Sequence, residues 1–348
     1  MIHEAIAKAA SGKNLTESEM MEAMDLISRG EATPAQIGAL LVALRMKGEC
    51  VDEIVGAVRV LRAKSSPIPF AASGRVVVDT CGTGGDGTGT FNVSTTAAFI
   101  AAGCGLIVAK HGNRSVSSSC GSADVLESLG VDLTLTPAQT AECLERLGLG
   151  FLFAPLLHPA MGHAVRPRRE IKLKSIFNLV GPLTNPAQAS VQIVGVFRKD
   201  LTDTLAQVLA RLGCPSALVV HGDDGCDEIT LTGPTTISQL KNRFIRTFTV
   251  SPEDLGLKRA SLDEIKGGDA ARNAAIVLDI LEGGPGPRRD MALLNAAGVL
   301  IAAGAAKDFA SGLELAARAV DSGRALEKLN SLVALTRELA DRKKAVGE

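Results

Sequence analysis

Residues Val76 to Thr96 read VVVDTCGTGGDGTGTFNVSTT, a strand-like apolar triplet, then five glycines, then a hydroxyl-rich entry into the apolar run that starts at Ala97. Glycine lets backbone N–H groups approach an anion closely and adopt positive φ. Ser94-Thr95-Thr96 stand where the first turn of the next helix would aim its dipole at that anion. The stretch therefore predicts a phosphate cradle at a strand end. It also sets the class of the fold, because a strand, a glycine loop and a helix open a parallel α/β unit.

Reading outward, Val76–Val78 is a strand, Ser94–Ala102 a helix ended by Gly103, Leu106–Ala109 a second strand, and Ala123–Leu129 a helix ended by Gly130. Further strands are expected at Gly150–Ala154, Val191–Phe197, Ala217–His221 and Glu228–Thr232, with helices near 202–212, 290–304 and 308–345. The first 65 residues carry another pattern. Thr16-Glu17-Ser18-Glu19 is a capping box before Met20, Met24 and Ile27, and Thr33-Pro34-Ala35-Gln36 repeats the device before Ile37, Leu40 and Leu44. Ile54, Val55, Val58 and Leu61 mark a third helix from Val51, and Ser65-Ser66-Pro67-Ile68-Pro69 breaks it. The fold class is thus α/β, a small all-helical domain over 1–66 beside a large α/β domain over 70–345 with a mostly parallel central sheet.

Composition narrows the function. The net charge is −1, so neither nucleic acid nor an anionic membrane is the expected partner. Trp and Tyr are absent and only ten Phe remain, which removes most base-stacking platforms. The seven cysteines form no CxxC pair, consistent with free thiols in a reducing compartment, the cytoplasm. No targeting or membrane-spanning segment is expected.

Gly82, Gly84 and Gly87 match the dinucleotide pattern G-x-G-x-x-G, but that fingerprint wants an acid at the end of the second strand and Lys110-His111 stand there instead. A cation suggests a ligand with another phosphate. No Lys follows the loop in Walker spacing. The next loop, Lys110-His111-Gly112-Asn113-Arg114-Ser115-Val116-Ser117-Ser118-Ser119-Cys120-Gly121-Ser122, gathers cations, an amide and hydroxyls where open α/β sheets bind ligands. A third element, His221-Gly222-Asp223-Asp224-Gly225-Cys226-Asp227-Glu228, crowds four carboxylates after a strand, which suits Mg²⁺ bridging to substrate phosphates. A solvated acidic turn is the plain alternative.

With these elements, the chain resembles the anthranilate phosphoribosyltransferase family from end to end. The likeness is carried by GTGGD at Gly82–Asp86, NVST at Asn92–Thr95, KHGNRSVSS at Lys110–Ser118, HPAM at His158–Met161, RRE at Arg168–Glu170, FNLVGPLTNP at Phe177–Pro186 and GDDGCDE ending in Asp227-Glu228. The resemblance implies transfer of a phosphoribosyl group from phosphoribosyl pyrophosphate to anthranilate, Mg²⁺ as cofactor, and a homodimer formed through the helical domain, which a segment around 165–182 completes. It implies that Gly82, Gly85, Asp86, Thr90, Asn92, Val93, Ser94, Thr95, Lys110, His111, Gly112, Asn113, Arg114, Ser115, Val116, Ser117, Ser118 and Ser122 hold phosphoribosyl pyrophosphate. Gly82, Asn113 and Arg168 would contact anthranilate, and Ser94, Asp227 and Glu228 would bind Mg²⁺.

Chemistry adds that Arg168 suits a carboxylate clamp, since its planar fork matches a carboxylate bidentately. A charged helix surface shared with Arg166 and Arg169 is the alternative. His111 is a positioning donor or a general base, and His158 and His163 are structural. Pro167 should start the helix that carries Arg168. Two rivals are a pyrimidine nucleoside phosphorylase-like enzyme, which would not need the Asp227-Glu228 pair, and a nucleic-acid-binding relative, which would show a basic excess.

Overall fold

The structure is a computed structural model that describes residues 1–115 and 120–346. The expected site residues Val116, Ser117 and Ser118 lie outside the described residues. The chain opens with four helices, α1 (Ile2–Ala10), α2 (Glu17–Ser28), α3 (Pro34–Lys47) and α4 (Val51–Ala63). Both capping boxes form: Glu19 N–H donates to Thr16 Oγ1 at 3.2 Å, and Gln36 N–H to Thr33 Oγ1 at 3.2 Å. The pattern missed α1, a short amphipathic helix that packs on α3.

The α/β part runs β1 (Val77–Gly82), α5 (Val93–Gly103), β2 (Ile107–Gly112), α6 (Ser122–Ser128), α7 (Pro137–Leu147), β3 (Leu149–Phe153), α8 (Ala154–Leu157), α9 (Gly162–Ile171), α10 (Ile176–Val180), β4 (Val191–Gly195), α11 (Leu201–Arg211) and β5 (Ser216–Gly222). It continues through β6 (Thr235–Lys241), β7 (Phe244–Val250), α12 (Ala270–Leu281), α13 (Pro287–Ala302), α14 (Phe309–Asp321) and α15 (Arg324–Val346). The sheet order is β3-β2-β1-β4-β5-β6-β7, parallel from β3 to β5 and antiparallel at β6 and β7. Alternate residues of β4 and β5 serve opposite faces. Ile193, Leu218 and Val220 join the core under α5 and α13, while Val194, Val196 and Val219 join the core shared with α4, α10 and α11. The helical bundle and the sheet therefore share one apolar cluster.

Three expectations are corrected. Glu228–Thr232 is not a strand: Asn295 donates to Ile229 O at 2.8 Å and accepts from Ile229 N–H at 2.9 Å, and Thr230 N–H is taken by Thr235 Oγ1 at 3.0 Å, so no ladder can claim this backbone. The helix expected over 308–345 is two helices, because the chain turns at Gly323 with φ +76°. Pro167 does not begin a helix but lies inside α9. The bond it cannot make would go to the carbonyl of His163, an exposed residue, while the ring is buried with Ala164 on a helix packed against α3.

Candidate functional site

Strands β1, β2, β4 and β5 all end in glycine, at Gly82, Gly112, Gly195 and Gly222. β1 and β4 flank the point where the sheet order reverses, the crevice in which open α/β sheets bind ligands. Gly82 and Gly195 are register partners there. Asp227 fills the space above both: a Cβ at Gly195 would fall 1.5 Å from the Asp227 carbonyl oxygen, and one at Gly82 would fall 2.5 Å from Asp227 Oδ2. Only glycine fits at Gly195.

Beyond β1 the loop takes positive φ at Gly84 (+64°), Gly85 (+67°), Gly87 (+82°) and Gly89 (+69°), and Gly84 N–H donates to Asp227 Oδ2 at 2.9 Å. Its base is tied by Thr83, whose N–H donates to Gly195 O at 2.9 Å and whose hydroxyl accepts from Phe197 N–H at 3.2 Å. Its far side is tied where Thr90 bridges to Lys266 and Gly267 N–H donates to Gly89 O at 2.9 Å. Helix α5 then starts at the buried Val93, with Asn92 as N-cap. The Asn92 Oδ1 and Thr95 Oγ1 atoms are buried with no hydrogen-bond partner among the described residues. Ser94 N–H, in the first turn, donates to Glu228 Oε1 at 3.0 Å.

The acidic motif divides by burial. Asp223 pairs with exposed Lys199 at 3.3 Å, and Asp224 is structural, accepting from Cys226 N–H at 2.9 Å, from the Thr230 hydroxyl at 2.7 Å and from Thr232. Asp227 and Glu228 turn inward. Burial first, then the charge of Asp86, pushes Asp227 up to about 7 against the Gly84 hydrogen bond. Burial and then Asp227 push Glu228 well above the carboxylate range, with Lys110 opposing. Ligand atoms of Asp86, Cys226 and Asp227 lie within 4.8 Å of one another. The raised proton affinity of Asp227 and Glu228 marks a site that favours a cation, and the hard carboxylate oxygens suit Mg²⁺ while the protonated Cys226 thiol does not. These residues fit the metal. The sequence reading placed Asp86 among the phosphate contacts; the structure also brings its carboxylate beside Asp227, within 4.8 Å.

On β2 the two expected phosphate contacts are buried. Lys110 reaches back to β1 and donates to the Thr80 carbonyl, and its Nζ lies 3.3 Å from Ser94 Oγ. Its ammonium is thus held between strand and helix start rather than in the loop. His111 N–H donates to Asp79 Oδ1 at 3.0 Å, and Asn185 Nδ2 donates to Asp79 Oδ2 at 2.8 Å. Burial raises Asp79 to about 6, with Asn185 and Lys110 opposing. Neither Asp79 nor Asn185 was read as a site residue. The His111 and His158 Nε2 atoms are 3.1 Å apart, and burial lowers the two rings to about 3 and about 4, so both are neutral near pH 7. His158 Nδ1 is buried with no hydrogen-bond partner among the described residues.

The loop after β2 is partly spent on itself. Arg114 forks onto Glu127 at 2.8 and 2.9 Å and reaches Asp124 at 3.1 Å, so its charge is neutralised by α6. Ser115 N–H donates to Asp124 Oδ2 at 3.0 Å, and Ser122 Oγ lies 3.4 Å from Asn113 O beside Gly112. The Asn113 side chain is exposed. On α9, Arg166 pairs with Glu170 in solvent, whereas Arg168 is half-buried with its guanidinium 5.1 Å from the Phe177 ring centroid. Among the described residues no carboxylate pairs with it. Burial lowers its affinity for a proton, so an incoming carboxylate would meet a poorly solvated cation.

Two family models cover the chain, the helical bundle domain of a glycosyl transferase family over residues 3–65 and its a/b domain over residues 74–326. An anthranilate phosphoribosyltransferase of Citrifermentans bemidjiense is 54% identical over 350 residues, covering 97% of this chain and 99% of that protein. Among solved structures, an anthranilate phosphoribosyltransferase from Thermus thermophilus superposes with a TM-score of 0.90 at 42% identity, over 96% of this chain and 99% of the other. One from Saccharomyces cerevisiae, solved with phosphoribosyl pyrophosphate and Mg, gives 0.88 at 26% identity over 97% and 98%.

Proposed function

The chain belongs to the anthranilate phosphoribosyltransferase family of glycosyl transferases, and from that membership we infer that it moves the 5-phosphoribosyl group from phosphoribosyl pyrophosphate to the anthranilate amine. The products are N-(5-phosphoribosyl)anthranilate and pyrophosphate, the second step of tryptophan biosynthesis from chorismate. The observation that carries the reading is the seating of Asp227 and Glu228 against Gly82, Gly195 and the Ser94 N–H, which brings half-buried acids to the glycine loop. A phosphorylase that takes free phosphate has no need of them.

Departure of pyrophosphate leaves positive charge on the ribose ring. The backbone N–H groups of the glycine loop and of the α5 start stabilise the leaving anion, with no reorganisation at the moment of reaction. Ser94, Asp227 and Glu228, with Asp86 alongside, would hold Mg²⁺, which would supply further neutralising charge. Lys110 fixes the Thr80–Ser94 junction and lends its charge to Glu228. The acceptor is an aromatic amine, unprotonated near neutral pH, and needs orientation more than a base. His111, neutral and held through Nε2 against His158, orients. Arg168 takes the anthranilate carboxylate as a fork, with Asn113 and Gly82 beside the ring.

The same reading makes the protein a cytoplasmic enzyme with free thiols, divided at 1–66 and 70–345, and a homodimer through its helical part. Anthranilate fluorescence tests the activity: the protein with phosphoribosyl pyrophosphate and Mg²⁺ should consume it. No loss at saturating substrates would overturn the assignment.

A further inference from the structure

Between α9, which carries Arg168, and α10 the chain passes through Lys172, where φ is +50°, to Lys174. The Lys174 ammonium lies 4.0 Å from the Phe197 ring centroid and is half-buried. It makes no hydrogen bond or ion pair among the described residues. Phe197 is no remote platform. Its N–H donates to Thr83 Oγ1 at 3.2 Å, Thr83 N–H donates to Gly195 O at 2.9 Å, and Gly195 lies against the Asp227 backbone. The ring that supports Lys174 is thus bolted to the base of the glycine loop and to the seat of Asp227. Burial lowers the affinity of Lys174 for a proton, with the charges of Asp86 and Asp227 opposing.

Two lysines flank the carboxylates, and they differ in what they have left to give. Lys110 spends its donors on Thr80 and Ser94, whereas Lys174 keeps its own. We propose that Lys174 is a diphosphate-contacting residue, placed by Phe197 at the carboxylate end of the cradle so that its ammonium bonds the pyrophosphate oxygens of the ribosyl donor. It leaves anthranilate untouched and adds positive charge beside the leaving group. Arg168 and Lys174 also stand on one short stretch of chain, which would put both substrate grips there. The proposal rests on the transferase reading above, and its test is chosen to stand apart from it.

Lys174→Met keeps an apolar stem on Phe197 and removes the charge, and Lys174→Arg keeps the charge. Calorimetric titration with inorganic pyrophosphate and Mg²⁺ should show affinity reduced about tenfold or more in the Met variant, the size expected for a lost charge-assisted hydrogen bond. The Arg variant should recover most of it. The KM for phosphoribosyl pyrophosphate should rise in parallel while the KM for anthranilate stays near wild type. If the Met variant fails to fold by circular dichroism, Lys174→Gln takes its place in the same titration. Wild-type pyrophosphate affinity in the charge-free variant, equal rises in both KM values, or no pyrophosphate binding by the wild type would each overturn the proposal. A wild type that binds Mg²⁺ and pyrophosphate yet consumes no anthranilate would instead overturn the transferase reading.

Discussion

At the scale of single residues, the chemistry turns on which charges are left unpaired. Arg114 and Arg168 look alike in the sequence, each in a motif shared with a transferase family. In the fold Arg114 is forked onto Glu127 and Asp124, and Arg168 stacks on Phe177 with no carboxylate near it among the described residues. The partners of Arg114 sit 10 and 13 residues away, one helix later, and no local pattern reveals which side chain a guanidinium will choose. The same holds for the acids. Asp224 answers to threonines at 230 and 232, whereas Asp227 answers to glycines on two strands. Arg168→Ala is expected to raise the KM for anthranilate by about tenfold or more, the cost of a lost bidentate ion pair, with little change in the KM for phosphoribosyl pyrophosphate. Steady-state kinetics with each substrate varied checks this, and equal rises would remove the clamp.

At the scale of elements, local signals placed what local energetics control. Both capping boxes, the strand before the glycine loop and the helix after it lie where the sequence puts them. The hairpin of β6 and β7 escaped notice because its turn at Asn242-Arg243 has no glycine, although both residues take positive φ and a β-branched, aromatic run follows from Phe244. The apolar run at Glu228–Thr232 looked like a strand because burial gives a loop the same composition. Asn295 decides the matter from α13 by holding both backbone groups of Ile229. Asn295→Ala would leave a buried N–H and C=O unpaired, and is expected to cost about 2–4 kcal/mol in urea unfolding. It should also weaken Mg²⁺ binding by moving Glu228. Unchanged stability and metal affinity would show that the loop holds itself.

At the scale of the whole molecule, the bundle and the sheet share an apolar core, and Arg211 on α11 ties Glu17 and Asp52 of the bundle to the α/β part. Among the described residues, five of the nine large exposed apolar side chains, Met1, Met21, Met46, Val165 and Leu173, belong to the bundle and the segment around α9. That bias suits a second copy of the chain against this face. Sedimentation at micromolar concentration is expected to give the mass of two chains, with Met46→Glu shifting it toward one; a wild type at the mass of one chain would overturn the homodimer. By itself the sequence determined the α/β class, the helical start, the glycine loop and the residue types around it, because caps, glycine turns and apolar periods act over a few residues of backbone. Only the tertiary structure decided that Asp86 joins Asp227, that His111 leans on His158, and that Lys110 is spent while Lys174 is not. Those outcomes depend on burial and on partners up to 140 or so residues away, which meet only when the strands align at the switch of the sheet.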